Sequence, residues 1–281
     1  MRIKAYKFQG AGNDFVAIDN REKPITLTPE QIIFLCHRRF GIGADGVLLL
    51  EKSSAYSFKM RYFNSDASEG TMCGNGGRCT VAFANMMGIE SFDFEAIDGC
   101  HTAQIVKREG DSFIVRLKMK DVKECISYSP TAYLVDTGSP HYVEFIESDI
   151  ENYPVDERGR YYRYHPDFKG GMNVNFVQIV PNMLKIRTYE RGVEAETYAC
   201  GTGSTATALA AYIYGVSPLS SEQCTIEAEG KNHTATKIVY RLKAVGGMLE
   251  VDAIYINKTL GFREIYLTGP AVCVFQTEIE I

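Results

Sequence analysis

"MCGNGGRCTVAFANMMG" runs over residues 72–88, and "ACGTGSTATALAAYIYG" over 199–215. The two stretches read alike. A small or apolar residue precedes Cys-Gly-x-Gly, and a run rich in small residues follows and ends at glycine. Cys73 and Cys200 stand 127 positions apart, the difference of their numbers, in a chain of 281 residues. A repeat at that distance predicts two similar halves. Helices are predicted over 77–87, with Val81, Ala82, Phe83, Ala84, Met86 and Met87, and over 203–214, with Ala206, Ala208, Leu209, Ala210, Ala211 and Ile213. A helix apolar nearly all round offers no face to water, so both are predicted to be buried.

What buries them is sheet. Runs that alternate apolar and polar residues lie at 57–63, 112–119, 141–146, 173–180, 184–190, 236–244 and 248–256, and read as strands. The fold class is therefore α+β, with each sheet wrapped around a central helix. "TPEQIIFLCHRRF" (28–40) predicts one further helix, with Thr28 as N-cap, Pro29 at N1 and Gln31 at N3, ending at Gly41. "ENYPVDERGRYYRYHPDFKGG" (151–171) is polar, turn-rich and tyrosine-rich, and reads as an excursion on the second half.

A chain of this length buries a substantial core and most often forms two domains. The net charge of −5, without a basic run, argues against a nucleic-acid partner. The N-terminus lacks the apolar core of a signal peptide. Runs such as "GVLLL" (46–50) are too short to cross a bilayer, so the expectation is a cytoplasmic protein with no membrane partner. Eight cysteines with no CxxC pair, and five scattered histidines, predict neither a disulfide framework nor a metal site. Cys36, Cys100, Cys125, Cys224 and Cys273 read as small buried apolar residues. Cys73 and Cys200 need another explanation.

The start of a buried helix has unpaired backbone N–H groups and partial positive charge. Glycines let a ligand come close to that backbone. Such a turn suits an anion and lowers the pKa of a neighbouring thiol. The dipole supplies at most about 2 kcal/mol, enough to bring a thiol from about 8.5 to roughly 7, where it can serve as base or acid. Taken singly, such a turn is equally a plain helix start with a core cysteine. A matched pair points to function, either as a redox couple or as two thiols serving one carbon. In the second case one thiol removes the proton next to a carboxylate and the other delivers a proton to the opposite face, with no cofactor. A single thiol nucleophile leaves the matched cysteine unexplained.

With these residues in view, the sequence resembles the diaminopimelate epimerase family, over nearly the whole chain. The motifs are "GAGNDFVAID" (10–19), "RRFGIGADGVLLL" (38–50), "YFNSDASEGTMCGNGGRC" (62–79), "GRYYRYHPDFKGGMNVNFVQI" (159–179) and "YERGVEAETYACGTGS" (189–204). The resemblance implies two domains related by a pseudo-two-fold, each a curved, barrel-like mixed sheet around a central helix, with the active site between them. Their expected bounds are 1–119, joined by a C-terminal strand over 268–281, and 120–267. It also implies a pyridoxal-independent isomerase without cofactor or metal, interconverting LL- and meso-2,6-diaminopimelate for lysine and peptidoglycan precursors. Its partner is that small molecule, and many members of the family are dimers, so a homodimer is left open. Cys73 and Cys200 match the acid/base pair. Gly74, Asn75, Gly201 and Thr202 match the backbone that holds the reacting carboxylate. Asn13, Asn64, Asn173, Glu190 and Arg191 match positions binding the remaining polar groups. Their chemistry suits this, since Arg191 can grip a carboxylate with two bonds and Glu190 can pair with an ammonium. His141 matches a histidine beside the catalytic pair and reads as a tuning residue or a hydrogen-bonded core residue. Ser139 departs from the family's usual asparagine, which puts its substrate contact in question.

The nearest rival is proline or hydroxyproline racemisation, whose enzymes also carry paired Cys-Gly-x-Gly turns. Their first turn commonly has histidine where this chain has Asn75, and they lack the "YERG" block with Arg191. A thiol-disulfide redox protein or an inactive ligand-binding relative are rivals of a different class, disfavoured by the intact cysteine pair and binding block.

Overall fold

Period-two alternation becomes sheet along most of the chain. The computed structural model describes residues 1–71 and 73–281, and Met72, which opens the first quoted stretch, lies outside them. The chain divides into two compact units, Met1–Leu117 with Gly269–Ile281, and Lys118–Thr268.

In the first unit β1 (Arg2–Gly10) pairs antiparallel with β2 (Asn13–Asp19). α1 (Pro29–Cys36) carries the chain across to β3 (Gly46–Glu51), parallel to β2. β4 (Phe58–Asn64) returns antiparallel, and the short β5 (Glu69–Gly70) hooks back on it. α2 (Gly74–Met86) then crosses to β6 (Asp93–Ala96), a parallel neighbour of β4. β7 (Gly99–Glu109) and β8 (Ser112–Lys118) follow antiparallel. The C-terminal strand closes the ring, pairing with β8 at Gly269–Val272 and with β1 out to Arg2↔Glu280. A closed ring has no free edge to protect.

The second unit repeats the order of pairings. β9 (Cys125–Ser129), β10 (Ala132–Asp136) and β11 (Pro140–Phe145) run antiparallel in succession. α3 (Val155–Arg163) crosses to β12 (Asn173–Val180), parallel to β11. β13 (Met183–Glu190) returns antiparallel and β14 (Ala195–Thr197) hooks back on it. α4 (Gly201–Tyr214) leads to the hairpin of β15 (Ser220–Ala228) and β16 (Lys231–Ala244), and β16 meets β13 in parallel at Leu184↔Leu242. β17 (Gly247–Asn257) and the first half of β18 (Gly261–Glu280) complete the unit, and Val122 bridges back to Phe262.

Both central helices are buried from their first residue on, α2 at every position of Gly74–Ala84 and α4 at every position of Gly201–Ala211 except Thr202. Phe83 of α2 packs on Tyr6 and Phe8 of β1, with ring centres 5.0 and 5.7 Å apart. On α4, Tyr214 stacks on Phe145 at 4.4 Å. Burying the Phe83 ring, which is fully enclosed, is worth roughly 1.5–3 kcal/mol. Both helices begin before the expected 77 and 203, because their N-caps are the cysteines themselves. Apolar periodicity cannot reveal a first turn built from Gly, Asn and Thr. α4 ends at Gly215, whose φ of 95° is the left-handed cap that only glycine adopts without strain.

Three sequence expectations change. The capping box at Thr28 is present, but α1 stops at Cys36 with His37 in extended conformation. Gly41 serves instead where the turn passes its own helix, since a β-carbon there would lie 1.8 Å from the Phe34 carbonyl oxygen. The 151–171 excursion contains α3, the crossover between β11 and β12. Its Pro154 N-cap, charged first turn and interior Gly159 hide the helical period, and Gly159 is needed because a β-carbon would lie 2.3 Å from Tyr189 Cβ. Cys36 and Cys273 are buried, Cys125 and Cys224 are half-buried, and Cys100 is exposed rather than in the core, being the second residue of β7, next to the hairpin turn.

The second glycine of each Cys-Gly-x-Gly also has a packing role. A β-carbon at Gly203 would lie 2.3 Å from Asn175 Oδ1 on β12, and one at Gly76 would lie 3.1 Å from Cys73 Sγ. Gly203→Ala should lower stability by about 1–3 kcal/mol through overpacking, and Gly76→Ala by less. Urea unfolding midpoints measure both, and a Gly203→Ala protein with an unshifted midpoint would contradict this packing account.

Candidate active site

In the first unit the site residues gather at one end of the sheet. Cys73 caps α2, and its Sγ accepts from the Gly76 N–H at 3.1 Å. Asn75 is buried, and its Oδ1 accepts from Arg78 Nη2 at 2.9 Å. Arg78 is fully buried, and it also donates to the Gly74 carbonyl at 3.0 Å and to the Pro270 carbonyl of β18 at 3.3 Å. Its guanidinium thus fixes the first turn of α2 to the wall of the sheet. Burial pulls its pKa below the usual value, while the Cys79 and Cys73 sulfurs act in the opposite sense. The sequence reading passed over Arg78, though one charge in an otherwise uncharged helix was a visible signal.

Asn13 starts β2 opposite Gly10, and Gly10 packs against the Asn75 carbonyl. Asn13 Nδ2 donates to Asp45 Oδ2 at 2.6 Å. Asp45 shares Arg38 with Asp14, at 2.7 and 2.8 Å, and Lys7 reaches Asp14 at 2.6 Å. Burial alone would raise the Asp14 pKa, but the bonds from Arg38 and Lys7 prevail and hold it down to about 2. Asn64, which pairs with Gly46 at the same end of the sheet, accepts from the Tyr62 hydroxyl at 2.7 Å and donates to Ser68 Oγ at 3.0 Å. Topology therefore brings Asn13, Asn64, Cys73, Gly74 and Asn75 together within this unit.

The second unit builds a counterpart at the start of α4. Cys200 is the N-cap and is 7% exposed, and Thr202 is half-buried beside it, with Oγ1 3.3 Å from Cys200 Sγ. Ser139 and His141, at the start of β11, and Asn173 and Asn175, on the neighbouring β12, form one hydrogen-bonded group with Thr202. His141 is fully buried. Burial, with the Arg191 cation adding to it, pushes its pKa down to about 3, so the ring is neutral at ordinary pH. Ser139 spends its hydroxyl on these neighbours. Asn175 and Thr188 belong to the group as well, and the alternation in "NVN" (173–175) put both asparagines on one face where the sequence reading used only Asn173.

Glu190 ends β13, Arg191 opens the turn that follows, and β14 holds that end through Glu190↔Ala195. Glu190 Oε2 accepts from Thr197 Oγ1 at 3.0 Å, and the Arg191 backbone N–H donates to Asn173 Oδ1 at 2.9 Å. The Arg191 side chain is exposed. Nearby, Arg187 grips Glu196 and three carbonyls, and Arg163 grips Glu194, so the turn carrying Arg191 is anchored on both sides. Among the described residues no cluster of three or more His, Cys, Asp or Glu side chains could hold a metal ion, and no helix is long and apolar enough to cross a membrane.

Comparison with known proteins bears on what these two helix starts do. A family model described as diaminopimelate epimerase matches residues 5–123 and 133–273. The protein named diaminopimelate epimerase in Flavobacterium psychrophilum is 45% identical over 285 residues, covering 99% of this chain and 100% of that one. The one in Chlorobaculum tepidum is 39% identical over 282 residues, covering 97% and 99%. Among solved structures, a phenazine biosynthesis protein of the PhzF family from Bacillus anthracis superposes with a TM-score of 0.73 at 15% identity, covering 100% of both chains. That last likeness concerns the fold alone. Since the matched regions take in both cysteine-capped helices and the relatives align end to end, the chain belongs to the diaminopimelate epimerase family, a family of amino-acid isomerases.

Proposed function

We propose that this protein epimerises LL-2,6-diaminopimelate to the meso form without a cofactor, supplying lysine and peptidoglycan precursors, with Cys73 and Cys200 as the acid/base pair. The observation that carries the reading is that each unit presents a cysteine as the N-cap of its own buried helix, within a matched Cys-Gly-x-Gly turn. The proposed mechanism asks the two thiols to serve one α-carbon from opposite sides. One thiolate takes the α-proton and becomes a thiol. The other thiol gives its proton to the opposite face and becomes a thiolate. The charge that develops meanwhile spreads into the α-carboxylate, where N–H groups of Gly74, Asn75, Gly201 and Thr202 can stabilise it. After each turnover the two protonation states are exchanged, which suits a reversible reaction.

Arg191 is the group we assign to the distal carboxylate and Glu190 to an ammonium, with Asn13, Asn64 and Asn173 completing the polar contacts. His141, being neutral and buried, is assigned no proton transfer. Its part is to order the hydrogen bonds around the second thiol. Two working thiols also suit a reducing, cytoplasmic setting.

LL-diaminopimelate incubated with the protein in heavy water, followed by proton NMR, tests the assignment. The expected outcome is meso product carrying deuterium at the inverted carbon. Efficient turnover of proline instead would overturn it. Replacing either Cys73 or Cys200 by alanine should abolish epimerisation while the protein stays folded, because removing one partner disables the pair as a unit. Replacing Cys125 or Cys224 should cost only packing. A folded Cys73→Ala with near-normal turnover would contradict the two-thiol mechanism.

The specificity claim has its own check. Arg191→Lys keeps the charge but loses the planar fork. It should lower kcat/KM for diaminopimelate by roughly 2–3 kcal/mol of transition-state stabilisation, and lysine, which lacks a second carboxylate, should be a poor substrate of the unaltered protein. Unchanged kcat/KM in Arg191→Lys would remove Arg191 from the site.

A further inference from the structure

The polar group at the start of α4 has proton directions that can be read off one by one. Asn175 is buried on β12. Its Nδ2 donates to the Tyr142 carbonyl at 3.0 Å, a partner that can only accept, and its Oδ1 accepts from Thr188 Oγ1 at 3.0 Å. The amide orientation is thereby fixed, and the second Nδ2 hydrogen points at His141 Nδ1, 3.1 Å away. Nδ1 is therefore an acceptor, and the neutral ring carries its hydrogen on Nε2. Nε2 lies 3.0 Å from Ser139 Oγ and donates to it.

Asn173 is fixed in the same manner. Its Oδ1 accepts from the Arg191 backbone N–H, and its Nδ2 donates to the Pro140 carbonyl at 3.2 Å and to Ser139 Oγ at 3.3 Å. Ser139 Oγ thus accepts twice, which leaves its own hydrogen for Thr202 Oγ1 at 3.3 Å. Thr202 keeps its own hydrogen to give, and when Cys200 is a thiolate its Sγ, 3.3 Å away, can only accept it.

We propose that Asn175, His141, Ser139 and Thr202 form a directed hydrogen-bond chain whose last link, Thr202 O–H to Cys200 Sγ, stabilises the thiolate, so that Ser139 is a positioning residue acting through Thr202. This rests on the reading of Cys200 as an acid/base thiol. A hydrogen bond donated to the charged form of a group favours that form. The short Ser139 hydroxyl is what lets it accept from the ring and donate to Thr202 at once. The charged groups that bear on the chain are Arg191, whose cation acts on His141, and Glu190, held by Thr197; α4 has no acidic residue in its first turn. All of these remain in the variants below.

The test is the titration of the Cys200 thiolate, read by its ultraviolet absorbance as the difference between each protein and the same protein with Cys200→Ser. Thr202→Val removes the donor and keeps the shape. Its midpoint should rise by about one pH unit, the tenfold loss of thiolate expected when one hydrogen bond to an ion is lost. Ser139→Ala should shift it the same way by less, because the Thr202 hydroxyl is then free to turn elsewhere. Thr202→Ser should restore it. In turnover, Thr202→Val should lower kcat about tenfold with KM little changed, since the backbone N–H of residue 202 is kept. An unshifted midpoint in folded Thr202→Val would overturn the proposal, and if that variant does not fold, an unshifted midpoint in Ser139→Ala does so. The titration needs no substrate. Shifts of the expected size in a protein that fails to epimerise diaminopimelate would uphold the chain and refute the proposed function instead.

Discussion

Burying the first turn of a helix is the constraint on which the rest of this structure depends. The opening N–H groups of a helix have no partners within it, and in water that costs nothing. Inside a sheet that closes around the helix it does, because a buried donor without a partner costs about 1–3 kcal/mol. Each unit meets the problem with the same turn. A cysteine stands at the N-cap, its sulfur accepting from the Gly76 N–H in the first unit and making no cap bond in the second, and glycines let the turn lie close to its neighbours. What would be a liability in a purely structural helix is, in the proposed function, a place for a carboxylate.

The two units hold that turn differently. In the first, Arg78 donates to the Gly74 carbonyl from the fifth position of α2. In the second, Thr205 stands at the equivalent place of the repeat, and its hydroxyl donates to the Gly201 carbonyl at 3.0 Å. A full buried charge supports one cysteine-capped turn and neutral hydroxyls support the other. The neutrality of the second is maintained further out, where burial keeps the His141 ring uncharged. An imidazolium there would have to donate from both nitrogens, and Asn175 already donates to Nδ1. In the proposed mechanism the two thiols swap protonation states each turnover, and unequal surroundings let each be tuned separately.

Much of this was legible in the sequence, and the boundary of what was not is physical. The internal repeat, the sheet-rich halves and the buried helices follow from residue spacing, since a helix apolar on every side has few places to be. The true starts of α2 and α4 did not follow, because the Gly, Asn and Thr of a first turn carry no apolar period. α3 stayed hidden for a related reason. Its sequence is charged and contains Gly159, and only the tight contact with Tyr189 explains that glycine. Arg78 and Asn175 were passed over because their importance lies in what they touch, Gly74, Asn75 and Pro270 for the one, His141, Tyr142 and Thr188 for the other. Most of these contacts join residues far apart in the chain and leave no local pattern, and the local ones, Arg78 to Gly74 and Asn75, show in the sequence only as a lone charge. The departure at Ser139 was visible, but its consequence needed the positions of His141 and Thr202.

The central claim is that two thiols act on opposite faces of one carbon, and the fate of the α-hydrogen tests it most directly. Early in a reaction started with LL-diaminopimelate in heavy water, the remaining substrate and the new product are separated and the isotope at the reacting carbon is measured in each. Two separate thiols predict product fully deuterated there and substrate still protiated, because the sulfur that takes the hydrogen is not the one that gives it back. Product that retains the original hydrogen, or substrate that exchanges as fast as product forms, would mean that a single base serves both faces and would contradict the account.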